Sequence, residues 1–444
     1  MIAQNKTIDS KFVLAFFLCT FPILPSYFNL AGIAGVVFFT IVFLFLIVVH
    51  TKGKLPVPKI QLTPLALALG AWIAGQGISS IAHGKITASI TLLFTTVFVW
   101  YGLFVLIKSR DSFLHAIKSV IMTGGVVSVL GLIESFTGFN IFSLLNTTGA
   151  QLNYNPRRFG IIRIISFSSH AIVYGLFLAF VMALALYYLQ FCRSSKERAV
   201  TLVAYCLMWS NLLLTLSRSS ILCTILSQLL ILVFSGMKKA LIIIARILGI
   251  IIVSSLLLRL FYPSIFESVV DIGYMILALF DDRYQSAIAL SFGNDNLGGV
   301  GNRIDLYQWV FDKMSDHWLF GFGIDNTFSH RYRATDGMFV WYNTKTSLEV
   351  QYLNTLYYYG LITVIPEILV YIELLKATFV RRRKAAWEKT ISFNAISFSV
   401  FVSYFLALFA VNRSSEYKMF YVLIGLILVY NSQNRFEKEI NNYA

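Results

Sequence analysis

Stretches of about twenty apolar residues recur along the whole chain, and no other feature constrains its fold as strongly. A helix of that length matches the hydrocarbon thickness of a bilayer, since each residue rises about 1.5 Å. Twelve such stretches are readable, at 11–28, 30–49, 62–82, 87–107, 117–137, 166–190, 199–216, 218–236, 240–262, 348–375, 391–411 and 417–432. Hydrocarbon offers backbone amides no water to bond, so helices that pair their own amides are expected there. Composition agrees: of 444 residues, 57% are hydrophobic and 13% charged, whereas a soluble domain carries about 25% charged residues. The expected fold is an all-α polytopic membrane protein with about twelve transmembrane helices.

Charge orients the spans. Of the 36 Lys and Arg residues, 22 fall in the N-terminal tail, in alternate connections near 52–59, 108–118, 193–198, 238–246 and 376–389, and in the C-terminal tail. The positive-inside rule makes that set cytoplasmic, with both termini. The segment 139–165, the turn at 215–220 and the long segment 263–347 then face outward. Three regions follow: 1–262 with helices 1–9, a large outward loop 263–347, and 348–444 with helices 10–12 and a tail. The formal charge of +15 is largely explained by span flanks, so membrane lipids rather than nucleic acid are the expected partners. The opening MIAQNKTIDSKF lacks a cleavage pattern, and retention of the first span is expected. Cys19, Cys192, Cys206 and Cys223 have no CxxC spacing, so neither a disulfide nor a thiolate metal site is expected.

Within this apolar frame, "TLSRSS" at 215–220 places Arg218 at the outer end of a helical hairpin. Ionisable residues in such positions are functional candidates, against the alternative of an arginine snorkelling to the interface. Other cations fall on the same side. Arg163 opens the sixth span in "RIISFSSHAIVYG", Arg157 and Arg158 precede it, and the long loop supplies Arg303, Arg331 and Arg333. Guanidinium forks match phosphate oxygens, so their convergence would suit a diphosphate. Trp309, Trp318, Trp341, Phe320, Phe322 and Phe328 argue that the long loop is ordered, either as a packed cap or as a sugar-stacking surface. Glu349, near the outer start of the tenth span, shares a helix face with Tyr352 and is a candidate general base. His170 is a second candidate base, weighed against a packing hydrogen bond. "FGFGID" lacks the lysine and the strand–helix context of a phosphate loop. No metal or other cofactor is expected.

Four elements together resemble the bacterial O-antigen polymerase and ligase superfamily of Wzy-like proteins: "RIISFSSHAIVYG", "TLSRSS", "GNRIDLYQW…DHWLFGFGIDNTF" and "EVQYLNTLYYYGLI". The resemblance implies a GT-C-like, metal-independent glycosyltransferase of the bacterial inner membrane, with its active site facing the periplasm. Its donor and acceptor would be oligosaccharides on undecaprenyl diphosphate, and a chain-length regulator is a further expected partner. Carried over by position, Arg218 and Arg303 bind diphosphate, with Arg163 a third. Ligases carry histidine then asparagine where this chain has Glu349 and Val350, a departure that favours a polymerase over a ligase acting on lipid A-core. A transporter or flippase of lipid-linked glycans is the alternative from another class. The absence of repeat symmetry and the clustering of arginines at one face count against it.

Overall fold

The computed structural model describes residues 9–235 except 31–32, 55, 57–61, 150–156 and 159–160. It also describes 301–345 except 325 and 336–339, then 348, 350–379, 391–411 except 410, 418–432, and the isolated positions 259, 270 and 274. The ninth expected span, 240–262, and the basic run 381–384 lie almost wholly outside these residues, as does Glu349.

The described chain is mostly helical. Four helical stretches are long and apolar enough to cross a membrane: Pro64–Ala82, Ile86–Leu106, Arg110–Thr137 and Ala171–Tyr188. Shorter apolar helices lie at 10–23, 35–50, 218–234, 393–407 and 418–432. In chain order the elements are α1 (Ser10–Thr20), α2 (Gly35–His50), α3 (Pro64–Ala82), α4 (Ile86–Thr95), α5 (Val97–Leu106), α6 (Arg110–Thr137), α7 (Ala171–Tyr188), α8 (Ser195–Leu214) and α9 (Arg218–Ser235). They continue with α10 (Gly301–Met314), α11 (Gln351–Tyr359), α12 (Leu361–Thr378), α13 (Phe393–Ala407) and α14 (Lys418–Ser432). Large apolar side chains such as Phe45, Val126, Val203, Leu229 and Leu369 are exposed along their outer faces, as lipid-facing residues would be.

The helix α7 is the axis of the bundle, with Tyr174, Leu178, Val181 and Leu184 among its many fully enclosed residues. It packs on α6, α8, α9 and α13. Although α8 and α9 are joined by a three-residue turn, they diverge: α8 lies along α6, and α9 lies along α13 and α7. Charged residues tie one end of the bundle together. Lys118 pairs with Glu197 at 2.7 Å and Arg193 with Asp111 at 3.0 Å. These are the connections that the charge rule assigns to the cytoplasm.

Several span boundaries differ from the sequence reading, and three differences have a local cause. The fifth helix begins at Arg110 rather than 117, because Ser109 and Ser112 form a reciprocal capping box that starts it early. The sixth begins at Ala171 rather than 166, because His170 caps it and 163–168 stay extended or turned. The tenth is broken at Gly360, with φ 73° and ψ −174°, a conformation essentially restricted to glycine.

The break at Gly360 is filled by the long loop. Residues 318–323 cross it and pair backbone to backbone, with Phe322 N to Tyr357 O at 2.7 Å, Gly323 N to Tyr358 O at 3.0 Å, Leu361 N to Trp318 O at 2.8 Å and Ile362 N to Leu319 O at 3.2 Å. A Cβ on Gly321 would fall 2.6 Å from the Tyr358 carbonyl carbon, and one on Gly360 would collide with Leu319 O. The glycines of "FGFG" and "YYYG" therefore permit two backbones to meet. Above this strap, α10 packs on α11 around a second core of Leu306, Val310, Met314, Phe328, Leu353 and Tyr357. Trp309 stacks edge-on to Phe328, and Phe322 lies between His317 and Tyr357. For Trp309, Trp318, Phe322 and Phe328, packing into a cap is the observed role. A two-stranded sheet completes the cap, β1 (His330–Thr335) against β2 (Val340–Lys345), with Arg331 opposite Thr344 and Arg333 opposite Tyr342.

Candidate functional site

The segment before α7 and the turn between α8 and α9 are laced together by three contacts. Ile164 N donates to Leu214 O at 3.4 Å, Arg163 Nε donates to Thr215 O at 2.8 Å, and Ser220 Oγ donates to Ile172 O at 3.0 Å. Gly175 permits the last, since a Cβ there would fall 2.6 Å from Ser220 Cβ. Arg163 is 9% exposed and Thr215 is fully buried, so the bond is sheltered. Arg218 follows three residues later as the first residue of α9, half-buried, with Ser217 and Ser220 hydroxyls paired beside it at 3.0 Å. Two guanidinium-bearing residues thus belong to one laced unit, at the bundle end opposite the Lys118–Glu197 cluster.

Two residues in this unit hold left-handed backbone without being glycine: Ser166 at φ 53° and Leu216 at φ 47°. Each costs about 1–3 kcal/mol, and such strain persists where the surroundings enforce it. For Ser166 the enforcement comes from Glu134, a buried carboxylate near the end of α6. It accepts from Ile165 N at 3.2 Å and Ser166 N at 2.9 Å, while Asn140 Nδ2 donates to Ser166 O at 2.8 Å. Glu134 is absent from the sequence candidates. Its signal was available, as an ionisable residue inside an apolar span in "GLIESFTG".

His170 belongs to the same unit. Its Nδ1 accepts the Ile172 N–H at 3.2 Å as the N-cap of α7, and Ser168 Oγ donates to its carbonyl at 2.8 Å. A ring that accepts at Nδ1 carries its proton at Nε2 when neutral, and so presents a donor there. Tyr352 lies on α11 and donates its hydroxyl to Phe405 O of α13 at 3.2 Å; α13 in turn packs on α9 and α7. Arg303 sits in the first turn of α10, and Arg331 and Arg333 sit two apart on β1 of the cap. Among the described residues, no three His, Cys, Asp or Glu side chains gather as a metal site.

A second feature lies at the same bundle end. A cavity of about 560 Å³ opens among the starts of α2, α4, α11 and α14 and the last turns of α3. Behind its wall, Glu367 accepts from Gln351 Nε2 at 3.1 Å and from the Tyr371 hydroxyl. Neither carboxylate nor cavity was anticipated.

Comparison with known proteins bears on part of the chain. Residues 203–366 match the family model described as O-antigen ligase. That stretch is similar to an O-antigen ligase domain. This domain runs from α8 through the first turns of α12, so it includes Arg218, Arg303, Arg331, Arg333 and Tyr352 and the position of Glu349. Arg163 and His170 precede the matched domain, although their segment is bonded to its Arg218 turn. None of the curated proteins matches the chain. Its apolar helices and the matched stretch together indicate a multi-pass membrane protein.

Proposed function

We propose that the protein is a GT-C-like, inverting glycan polymerase of the bacterial inner membrane, working at the periplasmic face on repeat units linked to undecaprenyl diphosphate. The observation that carries this reading is the Arg163–Thr215 bond, which couples one guanidinium residue to the turn bearing another at a laced bundle end. Arg163 and Arg218 are assigned to the donor diphosphate, and Arg303, Arg331 and Arg333 to phosphate or glycan contacts from the cap. Fixed donors at a departing diphosphate stabilise charge as it develops.

In the proposed step, a hydroxyl oxygen of the acceptor repeat unit attacks the anomeric carbon of the growing chain. The new carbon–oxygen bond forms as the bond to diphosphate breaks, and undecaprenyl diphosphate leaves with that electron pair. Glu349 takes the hydroxyl proton. His170, with its ring proton at Nε2, is assigned as a donor rather than the base. One displacement inverts the anomeric configuration.

A ligase reading is favoured by the description of the matched family itself. The two separate in one assay: the purified protein is incubated with an undecaprenyl-diphosphate-linked repeat unit, with and without a lipid A-core acceptor. A ladder of products from the repeat unit alone supports the polymerase; transfer to lipid A-core without a ladder supports the ligase.

A further inference from the structure

The cavity of about 560 Å³ is within the usual range of small-molecule sites, yet its lining is unusual for a bundle this apolar. Gln76, Thr91, Gln351, Asn354, Tyr359 and Lys418 all line it. They come from α3, α4, α11 and α14, so amides and hydroxyls line the space from four helices. Polar groups taken out of water are costly unless something bonds them, and hydrocarbon-bounded walls make that cost steeper. Such a lining suits a polar occupant. Acyl chains would make no hydrogen bonds to these amides and hydroxyls, and a headgroup alone would not use donors and acceptors spread along four helices.

The wall is also built to hold its shape. Gln351 Nε2 donates to Thr355 Oγ1 at 2.8 Å as well as to Glu367 at 3.1 Å, which fixes its amide plane. Gln351 N is bound to Leu408 O at 3.1 Å. Lys418 is 2% exposed and donates to Leu24 O. Among the described lining residues it is the single basic side chain, and the carboxylate of Glu367 sits behind Gln351. Phe28, Tyr359 and Tyr421 add aromatic faces of the kind that stack on sugar rings.

We propose that this cavity is a saccharide subsite, distinct from the Arg163–Arg218 unit, that receives a short acidic glycan and reads its carboxylate with Lys418. Resting on the glycosyltransferase reading, this names the substrate class as lipid-linked repeat units containing an acidic sugar. Hydroxyl-rich ligands match the amide and hydroxyl walls, and a sugar carboxylate gains a charge-assisted hydrogen bond from the ammonium.

The test is cysteine protection. In full-length protein with Cys19, Cys192, Cys206 and Cys223 replaced by alanine, Thr91→Cys is labelled with a small thiol reagent. Labelling is followed with tetragalacturonate or its methyl ester present, a pair that shares its sugar skeleton and differs at the carboxylates. The Arg218→Ala background is used in parallel, so that failure of glycan transfer cannot be mistaken for failure of the cavity. The expected result is protection by tetragalacturonate at concentrations at least about tenfold below those needed for the ester, in both backgrounds. Lys418→Met is expected to remove the difference and Lys418→Arg to keep it; should Lys418→Met not fold, the acid–ester pair on the unaltered wall decides. Equal protection by acid and ester, protection by neither, or protection by phosphatidylglycerol vesicles instead would overturn the proposal.

Discussion

The Arg163 guanidinium and the Thr215 carbonyl are joined by a 2.8 Å hydrogen bond that fastens the segment entering α7 to the turn that starts α9. The bond spans 52 residues of sequence and is buried, so it sets where Arg218 begins its helix. Arg163→Ala would leave the Thr215 carbonyl without this donor, at a cost of about 1–3 kcal/mol. The expected outcome is a lowered melting temperature together with loss of glycan transfer. Arg163→Lys keeps charge but not the Nε geometry, and an intermediate result is expected in both readouts.

Gly360→Ala tests the strap across the helix break. Its φ of 73° and the close approach of Leu319 O leave no room for a Cβ, so the loop segment 318–323 must lift. The predicted destabilisation is about 2 kcal/mol or more. Gly321→Ala, at φ 69° against Tyr358, is predicted to act in the same direction. Thermal unfolding of the purified variants checks both.

For His170 the prediction separates a donor from a base. His170→Asn retains an N-cap side chain, so stability is expected to stay within about 0.5 kcal/mol of wild type. Turnover is expected to fall by less than about a hundredfold, whereas Glu349→Gln is expected to cost about 10²–10⁴. Product formation rates measured across pH would reveal a reversed order, which would return the base role to His170.

At the opposite end of the bundle, Glu197 accepts from Lys118 Nζ at 2.7 Å, from the Tyr188 hydroxyl at 2.6 Å and from Arg193 N at 3.0 Å. These bonds favour the charged carboxylate and hold its pKa down to about 2, led by Lys118. A depressed folded pKa means stability present above the unfolded value of about 4.3 and lost as pH falls toward 2. The stability difference between wild type and Glu197→Gln is thus predicted to be flat from pH 8 to pH 5 and to shrink below about pH 4.5. Denaturation midpoints measured through that range check it.

The mostly helical, apolar character of the chain was legible because bilayer thickness writes itself into span length, and four helices among the described residues reach that length. Arg218 stood out for the same reason, as a cation among apolar residues. What stayed hidden depended on pairing across sequence distance. Nothing near Gly360 says that residues 318–323 will cross it, and nothing near Arg163 names Thr215. The cavity was hidden for a similar reason, since its wall comes from separate helices, each contributing only one or a few polar residues. Glu134 and Glu367 are different: each is a carboxylate inside an apolar stretch, "GLIESFTG" and "VIPEILV", and so carries a local sequence signal.

The most direct measurement is the length distribution of products made by purified Arg218→Ala protein, matched to wild type for folded amount, from an undecaprenyl-diphosphate-linked repeat unit in the presence of EDTA. The account predicts a ladder for wild type and a loss of about 10²–10³ in its rate for Arg218→Ala, with a melting temperature close to wild type. A full ladder from folded Arg218→Ala protein would contradict it.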